Sequence, residues 1–438
     1  MKIILISLDT LRADHLGCYG YSRGTSPNID ALASQGARFD RCYAADVPTI
    51  PSYTAVFSGQ IGTKTGVVSF NPTEKPPDQA TWFPVLLARQ GYTTAAVSTL
   101  LHMGGHFPRG FQYYLNPMAG YRERTQTVEA DEINRFVLPW LKAHYQEDFF
   151  LFVHYWDPHV DSVWGQEEPR QRYLPPEEYA GLYYEGMPQK LDSREYVVSQ
   201  YDAEITYADK CIGDVLNLVD ELGIADETLI VFQSDHGENL GEDHPLGRAI
   251  WDHLDVHEPT IRIPLIVRYP GLGYGRAIGG LVQNVDISAT ILSYAQVPVP
   301  DVYDGQDLAP LIQGASSTRY AEVYSNQGFM TCKRALITGD GWKLIKSVDN
   351  SPYEDAPTTE LYDLNRDPGE VNNLAGVETG RLAELELRMA RWLEQVLGNR
   401  PDPLRLRAHM GMLGPDAPYY GTTYQLRTDK RIYTATPE

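Results

Sequence analysis

The chain has 438 residues, with 58 Asp and Glu against 37 Lys and Arg and a formal net charge of −21. A surface this acidic argues against nucleic acid or an anionic membrane as a general partner. With 42% hydrophobic and 22% charged residues the chain has the balance of a folded globular protein, neither disordered nor fibrous. At roughly 100–200 residues per domain the length predicts two or three domains, or one large domain with an appendage.

Lys2 to Leu8 is a short apolar run that ends in Asp9, and it predicts a parallel strand buried on both faces. It is too short for a secretory leader, and no run of about 18 apolar residues follows, so the expected location is the cytoplasm with no membrane partner. Ser26-Pro27-Asn28 opens a helix, with Ser26 as its expected cap. Thr49 lies in a loop that delivers its hydroxyl to a helix starting at Pro51. Further helices are predicted over 80–90, 128–145, 194–222 and 286–295, and strands over 93–98, 148–154, 228–233 and 263–268. This alternation indicates an α/β sandwich with a mostly parallel central sheet.

Near residue 315 the pattern changes. Short strands are predicted over 320–324, 330–338, 343–347 and 360–364, followed by an amphipathic helix over 379–397. The expected division is a catalytic domain over 1–315, an α+β subdomain over 316–398 and an extended tail over 399–438. That tail, rich in Pro, Tyr, Gly and Thr, either wraps a neighbour, giving a homo-oligomer, or stays loose. The four cysteines are widely spaced, with no CxxC pair, and point neither to a disulfide scaffold nor to a cysteine metal site.

Three segments carry candidate chemistry. Leu8-Asp9-Thr10 ends one buried strand, and Ser234-Asp235-His236-Gly237-Glu238 ends another. Ligands in open α/β sheets gather at that end of the strands. Thr49-Ile50-Pro51-Ser52-Tyr53 brings a hydroxyl to a helix N-terminus, which favours an anion. Taken singly, each also reads as a strand-end turn or a helix cap. Together, Asp9, Asp235, His236 and Thr49 form an oxygen and imidazole set for a divalent cation (Mn, Zn, Fe or Ca). Thr49 is too weak a nucleophile unaided, so this reading requires a cation to lower its pKa.

The sequence resembles the sulfatases of the alkaline phosphatase superfamily over nearly its whole length. The resemblance lies in Ile6-Ser-Leu-Asp9-Thr-Leu-Arg-Ala-Asp14-His-Leu-Gly-Cys-Tyr-Gly20, Pro51-Ser52 and Phe57-Ser58-Gly59. It continues in Tyr155-Trp-Asp157-Pro-His159, Ser234-Asp-His-Gly-Glu238, Arg262-Ile-Pro-Leu-Ile266 and the segment from Glu360 to Leu374. Formylglycine-dependent sulfatases carry a CxPSR pattern. Here Thr49 stands at the Cys position and Tyr53 at the Arg position, and a threonine cannot become formylglycine. The family's Lys of a GKWH string is also absent, since residues 93–102 contain no Lys. Asp235-His236, in place of Asp-Asn, is similar to phosphonate monoester hydrolases, phosphoethanolamine transferases and phosphodiesterases of the superfamily.

The resemblance implies that Thr49 attacks the anionic centre and that His159 holds the substrate anion. It also implies that His253 protonates the leaving group. Thr10, Tyr53, Asp157, His244 and Arg248 are candidate substrate contacts, and Asp157 alternatively orients His159 or binds a second metal. His154 reads equally as a satisfied core residue. The expected activity is metal-dependent hydrolysis of phosphate diesters or phosphonate monoesters, small anionic esters, through a covalent Thr49 intermediate. The alternative is a sulfate-ester hydrolase without formylglycine. A phospho-head-group transferase and a degenerate binding module rank lower. Only 10 of the 37 basic residues are Lys, so anion binding should rest on metal, His and the helix N-terminus.

Overall fold

The computed structural model describes residues 1–70, 74–77, 81–118, 128–159, 161–163, 170–173, 175–184, 193–242, 250–271, 275–315, 319–329, 331–349, 356–410, 422–427 and 432–437. Two sheets organise it. Their strands are β1 (Lys2–Leu8), β2 (Ala37–Tyr43), β3 (Asp46–Val47), β4 (Thr93–Val97), β5 (Tyr113–Leu115), β6 (Phe149–Tyr155) and β7 (Thr228–Ser234). Then follow β8 (Arg262–Ile263), β9 (Leu265–Arg268), β10 (Arg276–Gln283), β11 (Glu322–Gln327), β12 (Cys332–Thr338), β13 (Trp342–Asp349) and β14 (Thr359–Asp363).

The central sheet has nine strands. β7, β1, β6, β4 and β5 lie side by side and parallel. Beyond β7 the direction reverses at β9, which pairs antiparallel with both β7 and β2. The strand expected over 263–268 is split into β8 and β9 around Pro264, which has no N–H to continue a ladder. β1, β6 and β7 are buried along their whole length, which explains their unbroken apolar runs. β1 is in register with β6 from Lys2–Phe149 to Leu8–Tyr155 and with β7 from Lys2–Thr228 to Leu8–Ser234. Asp9 and Asp235 therefore leave the sheet at one level.

The principal helices are α1 (Pro27–Ser34), α2 (Thr49–Ser58), α3 (Phe83–Arg89), α4 (Ala130–His144), α5 (Arg194–Glu221), α6 (Asp286–Tyr294), α7 (Thr379–Leu397) and α8 (Pro403–Met410). Successive side chains of a strand face opposite ways, and β6 shows which helices cover which face. Phe150 and Phe152 meet Phe83 of α3 and Phe57 of α2. Phe149 and Tyr155 meet Trp140 and Asn134 of α4. This is the α/β architecture expected. Ser26 does not cap α1 with its side chain: its Oγ accepts from the Gly17 N–H and donates to Asp30. No helix among the described residues is long and apolar enough to cross a membrane.

The second sheet runs β14-β13-β12-β11-β3. Its outer member β3 belongs to the segment just before Thr49, so the boundary expected near residue 315 divides the sequence but not the sheet. Helix α7 covers this sheet with Leu385 and Met389 against Leu336, Leu344 and Leu361. The segment expected as an extended tail from 399 opens with a helix. This is α8, where Leu404 is buried with Val68 and Cys332. Asp402 pairs with Arg334 at 3.1 Å.

Buried charges join this sheet to the segment that follows His253. Lys343 pairs with Glu258 at 3.0 Å and Glu370 at 2.8 Å. His257 pairs with Asp255 and Glu360, both at 3.0 Å. Burial alone would raise the Glu360 pKa, but His257, with Lys333 and the Tyr362 hydroxyl, outweighs it and holds the carboxyl at about 2. A depressed carboxylate stabilises the fold above its unfolded value, and that contribution disappears as pH falls from about 4.5 towards 2. Glu360→Gln should therefore cost about 2–3 kcal/mol at pH 7, and the deficit should shrink towards pH 2. Denaturant titrations at several pH values check this, and a deficit independent of pH would contradict it.

Candidate active site

The site lies where β1, β7 and α2 converge. β1 ends at Asp9, and Thr10 turns the chain with φ +54, a left-handed conformation that costs energy for a branched residue. Two hydrogen bonds hold this turn. The Thr10 N–H donates to Asp235 Oδ1 at 3.3 Å, and its carbonyl accepts from the Tyr201 hydroxyl at 2.8 Å. β7 leads into Asp235 and His236. His236 Nδ1–H donates to the Gly237 carbonyl at 2.8 Å, which leaves the Nε2 lone pair facing the site. Gly237 is required here, because a Cβ would lie 2.0 Å from the Pro259 carbonyl oxygen.

Thr49 is the first residue of α2, and not part of a preceding loop. Its Oγ1 lies 3.2 Å from His236 Nε2. Two groups not assigned from the sequence lock this helix to β7. Ser52 Oγ donates to the Asp235 carbonyl at 2.8 Å and accepts from Asn284 Nδ2 at 2.9 Å. The Pro-Ser pair of the motif was the available signal for Ser52; Asn284 had none. Pro48, at the cap position, makes no side-chain bond to the helix N-terminus, and its carbonyl accepts the Ser52 N–H at 3.1 Å.

The donor set suits a divalent cation. Ligand atoms of Asp9, Asp235 and His236 all lie within 4.8 Å of one another, and all three residues are fully buried. Both Asp9 oxygens and Asp235 Oδ2 lack a hydrogen-bond donor. Buried carboxylates left this way need a cation. Burial, then the charges of Asp235 and Glu238, push the Asp9 pKa well above the ordinary carboxylate range. Burial also raises Asp235, against the pull of His236. Burial lowers His236, keeping it a neutral ligand.

An imidazole row extends from this cluster. The His253 ring is 4.6 Å from His236 and 6.2 Å from His159, which in turn packs edge-on against Trp156. Glu238, fully buried, accepts from His253 Nδ1 at 3.2 Å. It belongs to the Asp-His-Gly-Glu string, yet nothing in the sequence pairs it with His253. The structure thus brings Asp9, Thr10, Thr49, Asp235, His236, His159 and His253 together.

Two expected contacts fall elsewhere. Tyr53 points into the core, with its hydroxyl on Ser7 Oγ at 2.7 Å and its ring against Phe152. It follows Thr49 by one helical turn and lies beneath the site, so it does not present itself to a substrate. The Asp157 charge acts on Tyr155, Tyr207 and Cys211, towards the α4–α5 layer, and Asp157 is not in the carboxylate cluster. Among the described residues there is no second cation cluster. His244 and Arg248 lie outside the described residues.

Comparison with known proteins gives the family and the fold. A family model described as Sulfatase matches residues 2–297, and one described as N-sulphoglucosamine sulphohydrolase, C-terminal, matches residues 247–397. The chain is 24% identical to an N-acetylglucosamine-6-O-sulfatase of Bacteroides thetaiotaomicron, covering 86% of this chain and 82% of that protein. It is 26% identical to PehA of Trinickia caryophylli, a multifunctional alkaline phosphatase superfamily protein, over 55% of this chain and 54% of that one. The phosphonate monoester hydrolase of Silicibacter pomeroyi shares the fold with a TM-score of 0.72 at 19% identity, over 91% of this chain and 96% of that chain. With a matching model over most of its length, the chain belongs to the sulfatase family, ester hydrolases of the alkaline phosphatase superfamily that generally depend on a divalent metal.

Proposed function

We propose that the chain hydrolyses monoanionic phosphate diesters or phosphonate monoesters, with Thr49 as nucleophile and a covalent Thr49 ester as intermediate. The observation that carries this reading is Thr49 Oγ1, 3.2 Å from His236 Nε2 and beside the Asp9 and Asp235 carboxylates. A divalent cation held by Asp9, Asp235, His236 and Thr49 would lower the pKa of the Thr49 hydroxyl and neutralise the oxygens of the transferred group. Thr49 attacks in line from the N-terminus of α2. Glu238 orients the His253 ring, which protonates the leaving group, and His159 holds the anion. Water then hydrolyses the Thr49 ester.

Charge selects the substrate class. Asp9, Asp235 and Glu238 are buried together. Three buried lysines pair elsewhere, Lys343 with Glu258 and Glu370, Lys333 with Glu360, Lys2 with Glu227. Three carboxylates offset one divalent cation and the protonated His253, so these groups offer a dianionic phosphomonoester no net positive charge for its second negative charge. Metal-reconstituted protein should therefore favour aryl phosphodiester or phosphonate monoester over aryl phosphomonoester by about 10²-fold in kcat/KM, roughly 2.7 kcal/mol. Equal rates on the monoester would contradict the charge argument.

A second reading is a sulfate-ester hydrolase, also acting on a monoanion, and relatives such as the N-acetylglucosamine-6-O-sulfatase favour it. The same assay separates the two: an aryl sulfate that outruns both phosphorus esters by about 10²-fold selects the sulfatase reading.

A further inference from the structure

His154, at the end of β6, holds an unusual place for a core residue. It is fully buried, its ring packed against Tyr53 at 5.0 Å, Trp156 at 4.8 Å and Phe152 at 6.0 Å. Its Nδ1 lies 3.2 Å from Ser98 Oγ, which also accepts the Leu100 N–H at 3.1 Å. Its Nε2 has no hydrogen-bond partner, and the polar atom it faces is Asp9 Oδ2 at 3.5 Å, likewise without a donor. The register of β6 against β1 creates this approach, because His154 sits opposite Ser7, two residues before Asp9.

We propose that His154 is a positioning residue for the cation site: its Nε2–H holds Asp9 Oδ2 and so directs the other carboxylate oxygen, Oδ1, towards the cation. The inference rests on the cation reading of Asp9, Asp235 and His236 given above. Electrostatics chooses the tautomer. A bare Nε2 lone pair opposite a buried carboxylate would be repulsive, whereas an Nε2–H is attractive, and the Ser98 hydroxyl proton then serves Nδ1. At 3.5 Å the contact is longer than a hydrogen bond, and a shift of about 0.5 Å closes it. Groups of this kind around a metal's direct ligands typically account for about 10–100-fold in affinity.

The test is manganese affinity, read by electron paramagnetic resonance of free Mn²⁺ during titration of the metal-free protein. His154→Met fills nearly the same space without a donor, His154→Phe keeps the aromatic packing without a donor, and His154→Gln keeps an N–H at similar reach. The Met and Phe variants should bind Mn²⁺ about 10–100-fold more weakly, and the Gln variant should recover most of that loss. Thermal melting of the metal-free forms controls for packing and should not follow the same order. Wild-type affinity in the Met and Phe variants, or a Gln variant as weak as Met, overturns the role of His154 while leaving the cation site standing. A wild-type protein that binds none of Mn²⁺, Zn²⁺, Fe²⁺ and Ca²⁺, the last three read by competition or elemental analysis, overturns the cation reading, and the role of His154 with it.

Discussion

Thr49→Ala should lower kcat by about 10⁴- to 10⁶-fold, the range seen when a hydrolase loses its nucleophile, and leave the fold intact. The substitution removes one hydroxyl whose recorded bond is to His236 at 3.2 Å. Ala is the better helix former at that first position of α2. The stability change should therefore stay within about 1 kcal/mol. Thr49→Ser, which keeps the hydroxyl, should retain measurable turnover. Trapping with a slow substrate should add the mass of the transferred group to a peptide containing Thr49 in the wild type and not in the Ala variant. An Ala variant working near the wild-type rate would remove Thr49 from the mechanism.

Asp235→Asn should lose its metal on desalting and slow turnover by about 10³-fold or more, equivalent to several kcal/mol of transition-state charge stabilisation. The amide oxygen can still accept the Thr10 N–H that Asp235 Oδ1 receives at 3.3 Å, so the turn after β1 survives. The sign of the stability change should depend on the cation. With metal bound the variant loses a ligand and is weaker. Without metal it should be more stable than wild type, because one of three mutually repelling buried charges, Asp9, Asp235 and Glu238, is gone. Elemental analysis and melting curves with and without chelator read both effects. Full metal retention in Asp235→Asn would count against the ligand assignment.

What could be read in the sequence follows burial. Lys2–Leu8, Phe149–Tyr155 and Thr228–Ser234 are central parallel strands covered on both faces, so they appear as continuous apolar runs whose ends mark the site. Ala37–Tyr43 carries Arg38, Asp40 and Arg41 on its less buried positions, and Arg276–Gln283 is half exposed. Neither has a run to notice. The donors that matter by residue type, Asp9, Thr49, Asp235 and His236, stood out because strand ends and a helix start place them. Tyr53 misled because it shares the Thr49 face of α2 but sits one turn further along the axis, in the core. Its side chain lies a full turn on and meets Ser7. Asn284, the Glu238–His253 pair and the His154–Asp9 approach depend on contacts between distant segments, which no local pattern encodes.

The pairing of β3 with β11 sets an order of assembly. Asn326 donates to Asp46 across 280 residues of sequence, and Asn326 and Gln327 lie in register with Asp46 and Val47, directly ahead of the threonine. Contacts of such separation form late. During synthesis the first three hundred residues can emerge with every proposed cation ligand present, yet the strand that anchors the nucleophile still lacks its neighbour. The strand directly ahead of Thr49 thus gains this neighbour only after residues 322–327 have been made, when every proposed cation ligand is already in the chain.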